Sequence, residues 1–126
     1  MAEKPNEIQV GGHHYLGGVY QHWDWVVENR MGYLEGQITK YLCRWRNKAG
    51  AQDLQKALHY ADKLWEAAAH NQVLFPLPRR VLGLPKMMRL YQLTDAETEV
   101  FRLAAEWSTL EALVRIRQLI EEALRG

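Results

Sequence analysis

Lys40, Arg44 and Lys48 stand at four-residue steps, so a helix through them lines three cations along one side, with a rise of about 6 Å from each to the next. An arginine can grip one phosphate through two hydrogen bonds while each lysine acts as a point charge, and the spacing suits phosphoryl groups in a row. Such a row also occurs on helices that are merely solvated. Upstream, His13, His14 and His22 supply imidazoles, which titrate near neutral pH and can carry a proton or stack on a base. Asp24 and Glu28 share a helical face and can either hold a magnesium ion against substrate phosphates or pair with Lys and Arg. Tyr15 and Trp23 offer rings to a base. Asp53 has two readings, as a ligand-facing carboxylate or as the cap of the helix it opens.

Some chemistry is excluded by what is missing. There is no GxxxxGK[ST] loop and no GxGxxG after a strand, so phosphate gripping by those devices is ruled out. HExxH and the paired ExxE and ExxD helices of all-α nucleotide pyrophosphatases are also absent. A single cysteine, Cys43, allows no internal disulfide and no thiolate-rich zinc site within one chain, and its place on an apolar helix side predicts inert burial.

The elements that position these residues read as helices throughout, because no segment alternates with period two over strand length. Residues 1–20 carry Gly11, Gly12, Gly17 and Gly18 around His13, His14 and Tyr15, and predict an ordered glycine- and histidine-rich loop that covers a site. Gln21 to Arg30 predicts a short helix, interrupted by Gly32. Tyr33 to Asn47 predicts a second, with Leu34, Ile38, Tyr41, Leu42 and Trp45 as its core-facing stripe. Lys48-Ala49-Gly50 ends it with a left-handed glycine, and Asp53 opens a third whose stripe runs through Leu54, Ala57, Leu58, Ala61, Leu64, Trp65 and Ala68. Three prolines and a glycine within residues 72–85 predict a linker, continued to residue 92 by a basic run of Arg79, Arg80, Lys86 and Arg89. Thr94-Asp95-Ala96-Glu97 is a capping box, and Ser108-Thr109-Leu110-Glu111 repeats the signal, so residues 93–126 predict a second helical hairpin. The expected fold is one all-α domain of two hairpins joined by a proline-rich linker.

With 126 residues, a formal net charge of +1 and 25% charged residues, the chain is long enough for one core and argues against wholesale duplex binding. The N-terminus lacks the apolar run of a signal peptide and no apolar stretch reaches membrane-span length, so a cytoplasmic protein without a membrane partner is expected.

The ordered set His14-Tyr15-x-x-Gly18, Gln21-x-x-Asp24, Gly36-x-x-x-Lys40-Tyr41-x-x-Arg44-x-x-x-Lys48 and Asp53-Leu54-x-Lys56-Ala57-x-x-Tyr60 resembles the small phage protein family typified by the podovirus nucleotide kinase. The resemblance spans about residues 13–65 and departs where the family commonly has Gly-Asn and this chain has Gly36-Gln37. It implies nucleotide or phosphate binding by His14, Tyr15, Lys40, Arg44, Lys48, Asp53 and Lys56, and His13, Gln21 and Trp23 stand beside that set as further candidate binding residues. It also implies deoxynucleoside monophosphate kinase-like activity; for such an enzyme the residues themselves offer His14 and Asp24 as catalytic groups and magnesium as the cofactor if there is turnover. A binder that sequesters a host defence-signalling nucleotide uses the same residues without an acid/base pair. Nucleic-acid binding is a third reading, since Leu93 to Phe101 resembles the opening of a LuxR-type helix-turn-helix, although Glu111, Glu121 and Glu122 disfavour a groove-reading surface. The apolar stripe of the C-terminal hairpin predicts a homodimer or higher homo-oligomer.

Overall fold

The computed structural model describes residues 19–126, and all regular structure among them is helical. Six helices follow in order: α1 (His22–Glu28), α2 (Tyr33–Arg44), α3 (Ala51–Ala69), α4 (Leu84–Tyr91), α5 (Asp95–Glu106) and α6 (Leu110–Arg125). The expected all-α class and both hairpins, α2 with α3 and α5 with α6, are present. The loop foreseen over Gly11 to Gly18, with His13, His14 and Tyr15, lies outside the described residues.

Four helices close a cycle in which α2 packs on α3, α3 on α6, α6 on α5 and α5 on α2, while α1 rests on α2 and α4 on α5. The stripes that period 3.6 picks out of the sequence meet in one core. Ile38 and Leu42 of α2, Leu54 and Leu64 of α3, Phe101 of α5 and Leu113, Ile116 and Ile120 of α6 are all fully buried. Ala57, Ala61 and Ala68 keep the inner side of α3 small and let α2 and α6 approach it. Trp25, also fully buried, stands against Phe101 at 5.1 Å between ring centroids and carries α1 into the same core. Val27 of the same helix is exposed.

Two boundaries differ from expectation. α2 stops at Arg44, not Asn47, because the chain turns there and the Gly50 amide donates to the Trp45 carbonyl at 2.8 Å. Gly50 takes φ +60° and ψ −131°, a backbone that glycine reaches without strain, and it occupies the N-cap position of α3. Asp53 therefore stands three positions inside that helix and is not its cap. The segment read as a linker over residues 72–92 contains α4, which starts with Pro85 in the first turn, where a missing N–H costs nothing.

The rest of that segment is pinned to the core. Leu82 exchanges backbone hydrogen bonds with the Asn29 side chain at 2.7 and 3.0 Å, and its carbonyl also accepts from the Trp25 indole at 2.8 Å. Arg79 donates to the Ala105 carbonyl at 2.7 Å, and the Lys86 ammonium lies 4.1 Å from the centre of the Tyr20 ring. Half of the basic run is thus spent on internal contacts. Thr94 and Glu97 form the expected capping box of α5, whereas α6 is capped by Thr109, which accepts from Ala112. Among the described residues no helix is long and apolar enough to cross a membrane.

Candidate functional site

The half-buried ring of Tyr41 is where the cations meet. The Lys40 ammonium lies 5.5 Å from its centre, and the Arg44 guanidinium carbon and the Lys56 ammonium each lie 5.4 Å away. No two of these charges can be further apart than twice such a distance. Lys40, Tyr41 and Arg44 come from one side of α2, and Lys56 crosses from α3, so the hairpin's register brings them together. The Tyr41 ring stacks on Tyr60 of α3 at 5.9 Å and 11° between planes, and Tyr33 meets Tyr60 edge-on at 6.1 Å. The result is a row of three tyrosines flanked by cations.

Arg44 is the one cation of this group with an acid beside it. Its Nε donates to Asp53 Oδ2 at 3.1 Å, and the same oxygen accepts from the Ala49 amide at 3.3 Å. Asp53 is fully buried, and its other oxygen, Oδ1, has no hydrogen-bond partner among the described residues. None of the ion pairs among the described residues involves Lys40, Lys48 or Lys56. The neighbouring outward residues Gln37, Gln52, Gln55 and His59 carry no carboxylate, so this face is locally positive although the chain is nearly neutral.

Two shallow clefts open on the face. One, of about 270 Å³ between α1 and α2, is lined by His22, Trp23, Tyr33, Gly36, Gln37 and Lys40. The other, of about 480 Å³, is lined by Tyr41, Gln52, Gln55, Lys56, His59 and Tyr60. Trp23 and Tyr33 are exposed, at 48% and 69%, and so are available for stacking. An apolar hollow of about 450 Å³ between α2, α5 and α6 has different chemistry: of its charged groups, Arg46 and Glu97 are paired with each other and Glu122 stands beside Arg115.

The candidate residues thus divide. Lys40, Arg44 and Lys56 come together at Tyr41, Asp53 stands behind Arg44, and Trp23 shares a cleft with Lys40. Lys48 lies four residues past the end of α2, so helical spacing no longer aligns it with Lys40 and Arg44. Gln21 precedes α1 and its amide donates to Asp24 Oδ2 at 2.8 Å, which makes Asp24 part of that helix start. Glu28 accepts from the Tyr20 hydroxyl at 2.6 Å, and no group of three metal-binding side chains converges among the described residues. His13, His14 and Tyr15 lie outside them.

His22 has a structural environment. Its Nε2 meets the Thr39 hydroxyl at 2.7 Å, and burial, with the Lys40 ammonium as the lesser cause, pushes its imidazole down to about 4. It is neutral at physiological pH and cannot serve there as a proton donor. Partial burial likewise pushes the Cys43 thiol well up, with the Glu97 carboxylate adding to the effect, which disfavours the reactive thiolate. Sequence reasoning missed Tyr41, Tyr60 and Tyr33 as site residues, assigning Tyr41 to the core stripe alone. The signal lay in the outer positions Gln37, Lys40, Gln52, Gln55, Lys56 and His59, which carry no acid, whereas Asp62 and Glu66 stand further along α3.

A family model described as a protein of unknown function, DUF3310, matches residues 11–62, and the chain is similar to that family over this range. The matched range takes in α1, α2 and the part of α3 that carries Asp53, Lys56 and Tyr60. No curated protein and no solved structure matches the chain.

Proposed function

We propose that this chain binds a phosphorylated small molecule, and in the first instance a nucleotide, on the α2–α3 face. The observation that carries the reading is the convergence of Lys40, Arg44 and Lys56 on the Tyr41 ring, next to clefts walled by Trp23, Tyr33 and Tyr60. Lys40 and Lys56, which have no ion pair among the described residues, stand with Arg44 as a cluster that selects multiply charged anions, and exposed rings beside them give a base somewhere to stack. The resemblance of residues 13–65 to the small phage proteins typified by the podovirus nucleotide kinase favours a nucleotide over other phosphates.

Binding without turnover is the form of this reading that the described residues support. A kinase-like step needs a proton acceptor for the attacking oxygen and a group to neutralise the transferred phosphoryl. Of the candidate acid/base groups among the described residues, the partly buried His22 imidazole, lowered to about 4, is a weak proton acceptor with Nε2 already on the Thr39 hydroxyl, and one oxygen of Asp24 accepts from the Gln21 backbone amide. A protein that holds a nucleotide unchanged, as a sequestering protein of a phage would, needs only the cations and the rings. Nucleic-acid binding by the second hairpin is disfavoured because three of its four arginines stand beside acids, Arg102 with Glu99 and Glu106, Arg117 with Asp62 and Arg115 with Glu122.

Calorimetric titration with a panel of nucleoside mono-, di- and triphosphates, followed by mass spectrometry of the same samples, tests both parts. Saturable binding with the nucleotide recovered intact is the expected result. Heat changes no larger than buffer dilution for the entire panel would refute binding, and a transferred phosphoryl group in the products would refute the non-catalytic form.

A further inference from the structure

Asp53 is an odd residue to bury. A fully enclosed carboxylate costs stability unless its charge is used, and an apolar side chain of similar size would fill the position at less cost. Here the charge is only half satisfied by the protein: Oδ2 takes the Arg44 Nε–H and the Ala49 amide, while Oδ1 accepts from nothing among the described residues. Arg–carboxylate pairs are frequently bidentate, with two parallel N–H···O bonds. This one uses a single bond through Nε, and the two terminal nitrogens of Arg44 donate to no acceptor among the described residues. The guanidinium is located a second time by the Tyr41 ring, 5.4 Å from its carbon, and the side chain stays 38% exposed.

We propose that Asp53 is a positioning residue, which holds Arg44 by Nε so that its two terminal nitrogens stand as a ready two-donor fork for a phosphoryl group. The inference rests on the reading of this face as a phosphate site and gives Asp53 a role without ligand contact. An arginine fixed at Nε and over a ring has little rotamer freedom left to lose, so a phosphate gains both hydrogen bonds at low entropic cost. Lys40 and Lys56, on the same ring, add point charges that favour a phosphoanhydride over a singly charged anion.

The test compares wild type, Asp53→Asn, Arg44→Lys and the double variant. Each is titrated with inorganic pyrophosphate and with ADP well below its own measured Tm. Asp53→Asn is expected to weaken both probes about tenfold with the fold retained, and Arg44→Lys, which keeps the charge and loses the fork, by a similar factor. The double variant is expected to bind no more weakly than the weaker single, because both act through one group. A lowered Tm with unchanged affinity in Asp53→Asn would make Asp53 structural only and overturn the proposal. So would losses that multiply in the double variant, since Asp53 would then act independently of Arg44. Should Asp53→Asn not fold, Arg44→Lys decides alone, and unchanged affinity there overturns the fork. Failure of the wild type to bind either probe overturns the phosphate site itself, and this role with it, whereas wild-type binding with unaffected variants overturns this role only.

Discussion

Acidification from neutral pH should destabilise this protein through His22. The imidazole sits beside Trp25 and Phe101, at 6.3 and 6.5 Å between ring centroids, with Nε2 on the Thr39 hydroxyl. Burial first, and the Lys40 charge second, lower it from an ordinary 6.5 to about 4. Between those values the unfolded chain takes up a proton that the folded chain refuses, so protonation pulls toward unfolding. The His22 contribution is complete above pH 6.5, falls as the pH drops toward 4 and levels off below. With roughly 1.4 kcal/mol per unit, lowering the pH from 7 to 4.5 should cost on the order of 2–3 kcal/mol. Urea denaturation followed by tryptophan fluorescence, at half-unit steps over that range, measures it. In His22→Gln, whose amide can still reach Thr39, the slope should flatten. Parallel curves for wild type and variant would refute the assignment of a buried neutral imidazole.

Three further outcomes follow from individual contacts. Trp107→Phe keeps an aromatic ring but removes the indole N–H that reaches the buried Glu35 Oε2 at 2.7 Å, which should cost about 1–3 kcal/mol in urea denaturation. Gly50→Ala should cost about 1–3 kcal/mol in the same assay although nothing lies within 4 Å of the added methyl, because the penalty is in the positive φ. Cys43 should resist iodoacetamide in the folded protein at pH 8 and label completely in urea, since burial keeps its thiol protonated; rapid native labelling would contradict this.

The long helices were legible because their apolar residues keep a 3.6 period: Leu54, Ala57, Ala61, Leu64 and Ala68 all turn inward as spaced. α4 was not, since its sequence sits among prolines, and only the position of Pro85 in the first turn distinguishes a helix start from a helix breaker. The end of α2 was misjudged because Trp45 continues the apolar pattern, while the Gly50-to-Trp45 hydrogen bond that turns the chain is invisible in a pattern of side chains. For the site, periodicity alone was enough to put Lys40 and Arg44 on one side. The approach of Lys56 to Tyr41 depends on the register between α2 and α3, a tertiary property set by how Ile38 and Leu42 pack against Leu54 and the α3 alanines. The role of Asp53 was equally out of reach, because its burial follows from the turn at Gly50, not from its distance to a helix start.

Phosphate binding on the α2–α3 face is tested most directly by the nucleotide affinities of Lys40→Ala, Lys56→Ala and the double variant beside wild type. These two lysines are exposed and unpaired with acids among the described residues, so their removal spares the fold, unlike a change at Arg44 with its buried partner. The predicted result is a loss of about 3- to 10-fold for each single variant, with unchanged Tm and a shallower dependence of affinity on salt. Affinities equal to wild type in the double variant would contradict the site.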